Sequence, residues 1–116
     1  MTSETETAHG PGMQGLYVRI AELEIDPRQL AVFTAEAKEV GQMSVSDEPG
    51  CLVLYAVHDK ESPGRIRVFE IYRDADAYKK HLQTPHFQKF RAATDAMVES
   101  RRLIDAVPIS LASKAM

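Results

Sequence analysis

Phe69-Glu70-Ile71-Tyr72-Arg73-Asp74-Ala75-Asp76-Ala77-Tyr78-Lys79-Lys80-His81-Leu82-Gln83-Thr84-Pro85-His86-Phe87 reads as a strand that turns into a helix, and the helix is broken once before it resumes. From Arg65 to Arg73 side chains alternate: Ile66, Val68, Glu70 and Tyr72 share one face, and Arg67, Phe69, Ile71 and Arg73 the other. Asp74 can cap the helix that follows, Asp76 suits its first turn, and Tyr78, His81 and Leu82 line up at i, i+3, i+4. Pro85 lacks a backbone donor and disfavours helical geometry at Thr84. A kink or a fresh start is therefore expected, with Thr84 as the cap and His86 in the new first turn. Phe87, Phe90 and Met97 continue an inward stripe. One strand–helix unit thus gathers a carboxylate, two imidazoles and several rings, which can line a small aromatic-friendly pocket or simply pack a helix.

Upstream, Leu16 to Ile25 alternates as a strand with apolar residues on both faces. Asp26-Pro27 supplies an N-cap and a first-position proline, with Gln29 placed for a capping box. The helix it opens carries Leu30, Phe33, Ala37 and Val40 on one stripe and is expected to stop at Gly41. Glu48-Pro49-Gly50 reads as a type II turn into a strand from Cys51 to His58. Ser62-Pro63-Gly64 then reverses the chain, so this strand pairs antiparallel with Arg65 to Arg73. A last strand is expected from Leu103 to Leu111, with Pro108 marking an edge, a bulge or an arm leaving its own sheet. The order β-α-β-β-α-β predicts an α+β, ferredoxin-like fold, a four-stranded antiparallel sheet with both helices on one face. Apolar residues on the bare face call for a partner, and a second copy, a homodimer, is the simplest.

A chain of 116 residues with 44% apolar side chains makes one domain, expected over residues 15–116 after a polar, disordered tail, residues 1–14, which holds His9. A net charge of -3 gives no field for nucleic acid or for an acidic membrane surface. No run is long and apolar enough to cross a bilayer and no signal-peptide pattern opens the chain, so a cytoplasmic protein is expected. The lone Cys51 excludes an intrachain disulfide and reads as a small buried hydrophobe.

Glu48-Pro49-Gly50-Cys51 before a strand, Phe69-Glu70-Ile71-Tyr72, His81 and Thr84-Pro85-His86-Phe87, in that order, resemble the antibiotic biosynthesis monooxygenase domain over roughly Leu16 to Ala112. The resemblance implies a dimeric α/β barrel with a ligand cavity between each sheet and its helices. It also implies kinship with cofactor-independent quinol or polyketide oxygenases, with a quorum-signal-processing enzyme and with haem degraders. The chain has neither tryptophan nor asparagine, which the haem-degrading members use around the porphyrin, so haem degradation is disfavoured.

There is no Gly-x-Gly-x-x-Gly loop, no cysteine pair and no histidine pair at i, i+4, so neither a cofactor nor a metal is expected. Oxygen chemistry would then draw its electrons from the substrate, as a deprotonated quinol or anthrone allows, and the protein needs a base, oxyanion donors and a dry cavity. His81 is the candidate base, weighed against a satisfied structural histidine. Glu70 is the second catalytic candidate, orienting His81 or pairing with an arginine. Tyr55, Tyr72, His86 and Phe87 are the candidate substrate contacts, each with a packing role as the alternative. Arg65, Arg67 and Arg73 read as salt-bridge partners across a dimer or as a phosphate grip. The expected function is a cofactor-free monooxygenase on a small quinol-like or polyaromatic phenol. The alternatives are an isomerase or lyase on a small phosphorylated or hydroxylated ketone, and a non-catalytic small-ligand-binding dimer.

Overall fold

A computed structural model describes residues 15–115; the expected tail and its His9 lie outside them. Strands β1 (Tyr17–Ile25), β2 (Cys51–His58), β3 (Arg65–Tyr72) and β4 (Val98–Ala106) form one sheet in the order β2-β3-β1-β4. Every pairing is antiparallel. Helices α1 (Leu30–Asp47), α2 (Ala75–Leu82) and α3 (Pro85–Thr94) complete the α+β, ferredoxin-like arrangement. The core lies between sheet and helices, where Ala21, Leu23, Ile25 and Ile66 meet Phe33, with Val68, Phe90 and Met97 packed around them.

The register places Arg19, Ala21 and Leu23 of β1 beside Glu70, Val68 and Ile66 of β3, all on the helix side. The opposite face carries Ile20, Tyr55, Phe69 and Ile104 in one row across the sheet. Towards its far end that face is charged, with Glu22 between Arg67 at 3.6 Å and Arg102 at 3.6 Å, and Glu24 beside Arg65 at 3.3 Å. Arg73 donates to the Pro49 carbonyl at 2.8 Å. Within the chain Arg65, Arg67 and Arg73 thus pair with Glu24, Glu22 and the Pro49 carbonyl.

Several boundaries differ from those expected. Asp26 does cap, accepting from the Arg28 amide at 3.0 Å, but what it caps is a 3-10 turn, Pro27–Gln29, and Gln29 makes no capping-box bond. The Arg28 guanidinium also holds the Asp26 carboxyl below the usual carboxylate range. Helix α1 does not stop at Gly41. Its φ stays negative, and a Cβ there would meet Leu54 of β2 at 3.6 Å, an ordinary contact, so neither conformation nor crowding ends the helix at this residue. The helix runs on through buried Ser44 to Asp47.

The turn Glu48-Pro49-Gly50 is present, closed by the Cys51 amide on the Glu48 carbonyl at 3.1 Å. It is not type II, because Gly15 is the sole described glycine with positive φ. Glycine is required at 50 for another reason: a Cβ there would stand 2.4 Å from Cβ of Ala77 on α2. Finally, β4 starts five residues earlier than expected and ends before Pro108, leaving Val107 and Ile109 exposed beyond the sheet. Its polar start, Glu99-Ser100-Arg101-Arg102, is a strand because it pairs with the acidic end of β1, Arg102 opposite Glu22.

Candidate functional site

The segment from Asp74 to Thr94 folds as two short helices. Asp74 accepts from the Ala77 amide at 2.8 Å to start α2. Thr84 accepts from the Phe87 amide at 3.2 Å to start α3, and its hydroxyl donates back to the His81 carbonyl at 2.8 Å. His81 therefore hangs from the last turn of α2 and His86 from the first turn of α3.

Both imidazoles point at one carboxylate, that of Glu48, the residue that ends α1. His81 Nδ1 lies 3.1 and 3.0 Å from the two carboxylate oxygens, and His86 Nε2 lies 2.5 Å from Oε2. A carboxylate only accepts, so each ring donates to it, which makes Nε2 of neutral His81 an acceptor. The three side chains are only 4%, 8% and 12% exposed for His81, His86 and Glu48. Buried polar groups of this kind are stable only when they satisfy one another.

His81 also lines a cavity of about 240 Å³ between the sheet and the helices, with Arg19, Glu70, Tyr78, Phe87 and Phe90 among its walls. Arg19 lies over the Tyr78 ring, 4.8 Å from its centroid. Tyr78 stacks on Tyr17 at 4.9 Å, and the His81 ring is 4.8 Å from that of Phe87. Burial raises the Tyr78 phenol above its ordinary value, and the Arg19 charge partly offsets this. Arg101 and Arg91, also in the lining, both reach Asp95, at 3.4 and 4.0 Å. A larger groove of about 640 Å³ between α1 and edge strand β2 is mostly apolar.

The expected site residues separate into four groups. His81, Glu70 and Phe87 come together in the cavity. Glu70 does not touch His81, however: its carboxylate accepts from the Tyr72 hydroxyl at 2.6 Å, and Glu48 takes the partner's place on the imidazole. Tyr72 is 0% exposed and lies outside the cavity lining, where it supports Glu70 from behind. Burial and then the Glu70 charge drive its phenol far above the ordinary value. His86 belongs to the Glu48 cluster, outside the cavity lining. Tyr55 lies on the opposite face of the sheet, half exposed.

Sequence reasoning missed Glu48, because its partners are 33 and 38 residues away and it resembles an ordinary turn residue. The Glu70–Tyr72 bond was within reach, since i and i+2 share a strand face. Cys51 is buried, as expected; burial and the nearby Glu48 and Glu70 charges push its thiol up to about 12.

A ferredoxin-like α+β domain with an aromatic cavity under a broken helix, and a histidine held at its wall by a carboxylate, is the class these observations define. A profile of the antibiotic biosynthesis monooxygenase family matches residues 16–93, and the chain belongs to that family. A Bacteroides thetaiotaomicron protein assigned to these monooxygenases is 43% identical, the match covering 90% of this chain and 100% of that one, with a TM-score of 0.86. A Caulobacter crescentus protein with the same assignment is 25% identical over 92% of this chain and 99% of its own, with a TM-score of 0.77. One from Nitrosomonas europaea, at 19% identity over 82% and 91% with a TM-score of 0.76, shares the fold. No curated protein sequence matches the chain. Among the described residues no helix is long and apolar enough to cross a membrane.

Proposed function

We propose that this chain is a cofactor-independent monooxygenase that oxidises a small quinol-like or polyaromatic phenol with dioxygen, in the cytoplasm and as a homodimer. The observation that carries this reading is the placement of His81, with Nδ1 fixed by Glu48 and the ring on the wall of an aromatic cavity. A carboxylate on one imidazole nitrogen fixes the tautomer and leaves the other nitrogen free to accept a proton. Nε2 takes the substrate hydroxyl proton. The Glu70 carboxylate, held by Tyr72, accepts a hydrogen bond from a second hydroxyl, and Tyr78 and Phe87 provide flat contact. The resulting anion is electron-rich enough to reduce dioxygen. One oxygen atom enters the substrate and the other leaves as water, and the two electrons and two protons this requires come from the substrate.

The row of exposed Tyr55 and partly exposed Ile20, Phe69 and Ile104 supports a second copy on the bare face of the sheet. The phosphorylated-ketone alternative needs an arginine free to hold phosphate. Arg91 and Arg101 share Asp95, Arg19 lies over Tyr78, and no observation favours it.

Oxygen uptake with a panel of reduced quinols, in chelator and without flavin, tests the reading. Rates above the autoxidation blank are expected, with His81→Ala lowering them about 10²- to 10⁴-fold, the usual worth of a general base. Uptake equal to the blank across the panel rejects it.

A further inference from the structure

We propose that Glu48, His81 and His86 form a binding site for a divalent transition ion, zinc fitting best, and that its occupation switches off His81 as a base. The sequence carried no metal signal because the three donors come from three different elements: the end of α1, the last turn of α2 and the first turn of α3. In space their ligand atoms all lie within 4.8 Å of one another. Two imidazole nitrogens and a carboxylate oxygen are a donor set that suits zinc and its neighbours, and three protein ligands leave one position for water.

The geometry needs side-chain adjustment only. Metal–ligand distances near 2.0–2.1 Å in a tetrahedron put donor atoms roughly 3.3 Å apart. His81 Nδ1 and Glu48 Oε2 already stand at 3.0 Å, His86 Nε2, at 2.5 Å from Oε2, must retreat by less than about 1 Å, and the two imidazole nitrogens, within 4.8 Å of each other, must close by up to about 1.5 Å, which side-chain rotation supplies. The frame around the donors is firm. Thr84 ties the start of α3 to the end of α2, and the Gly50–Ala77 contact presses α2 against the turn that carries Glu48.

Binding takes place at the nitrogens that now donate to Glu48. Each neutral ring keeps its proton by moving it to the other nitrogen, so charge and protons balance without an outside partner. For His81 that other nitrogen is Nε2, which changes from acceptor to donor. This last consequence rests on the proposed role of His81 as base; the ion site itself does not.

The test is calorimetric titration of chelator-treated, dialysed full-length protein with zinc chloride, alongside His86→Gln, whose amide can still donate to Glu48 but cannot take its place as a ligand. One zinc per chain is expected for the wild type, with binding at least about tenfold weaker in the variant. Thermal melting confirms that the variant is folded, and cobalt(II) should give a tetrahedral visible spectrum that Glu48→Gln abolishes. Absence of stoichiometric zinc binding, or equal binding by His86→Gln, which retains the chain's other histidines, overturns the site. Stoichiometric binding that leaves quinol oxidation unchanged upholds the site and counts against His81 as the base.

Discussion

Replacing Gly50 by alanine tests whether the turn that carries Glu48 is clamped against α2. The Gly50 backbone has no positive φ, so on conformational grounds alone the substitution should stabilise by about 0.4–1 kcal/mol through the unfolded chain. The structure reverses that sign. The new Cβ would sit 2.4 Å from Cβ of Ala77 and 3.6 Å from its Cα, against an ordinary carbon–carbon separation of about 3.5–4.0 Å. Roughly 1.4 Å must be found by moving a helix backbone, because alanine has no flexible end to swing aside. Overpacking of this kind costs about 1–3 kcal/mol, and the upper half of that range is expected.

Urea denaturation measures the cost, and Ala77→Gly supplies the control. Alone, that change should cost up to about 1 kcal/mol as a helix glycine. Combined with Gly50→Ala it removes the clashing methyl, so the double variant should be more stable than the sum of the single costs by about 1–2 kcal/mol. A Gly50→Ala protein as stable as the wild type, or strict additivity in the cycle, would refute the clamp. Because α2 also carries His81, the single variant should lose oxidase rate along with stability, and the double variant should recover both.

Three further outcomes are expected. The Cys51 thiol, buried and held up to about 12, should resist iodoacetamide at pH 8 in the folded protein and react once urea unfolds it; rapid modification of folded protein contradicts the burial. A raised folded value also means that this group's contribution to stability is intact below its ordinary value near 9.0 and is lost as pH climbs towards about 12, so Cys51→Ala should flatten the alkaline fall in melting temperature. On the bare sheet face, Tyr55→Glu should shift sedimentation from dimer to monomer, and a wild type that sediments as a monomer overturns the homodimer.

The fold was legible wherever local chemistry sets the chain's path. Strand alternation, the Asp74 and Thr84 caps and the turns around Pro49 and Pro63 all act within a few residues. What escaped was set by distant neighbours. Gly41 looks like a helix stop, yet its backbone keeps a negative φ and the helix continues to Asp47, packed against β2. The polar start of β4 looks like a loop until the acidic residues of β1 are placed opposite it. For the candidate site, helical spacing was enough to turn His81 towards the sheet and strand spacing to place Glu70 on the helix-facing side. The partner that orients His81 was not legible, since no periodicity links residue 48 to residues 81 and 86.

The interruption at Thr84–Pro85 has a geometric outcome beyond ending one helix and starting another. On an unbroken helix, residues five apart are turned about 140° from each other and separated by about 7.5 Å along the axis. His81 and His86 would then look in divergent directions, and no single carboxylate could serve both. By letting the chain change course between them, one proline turns an awkward interval into a pincer. A variant that restored a straight rod across residues 84 and 85 would keep every donor atom in the sequence and lose their meeting point.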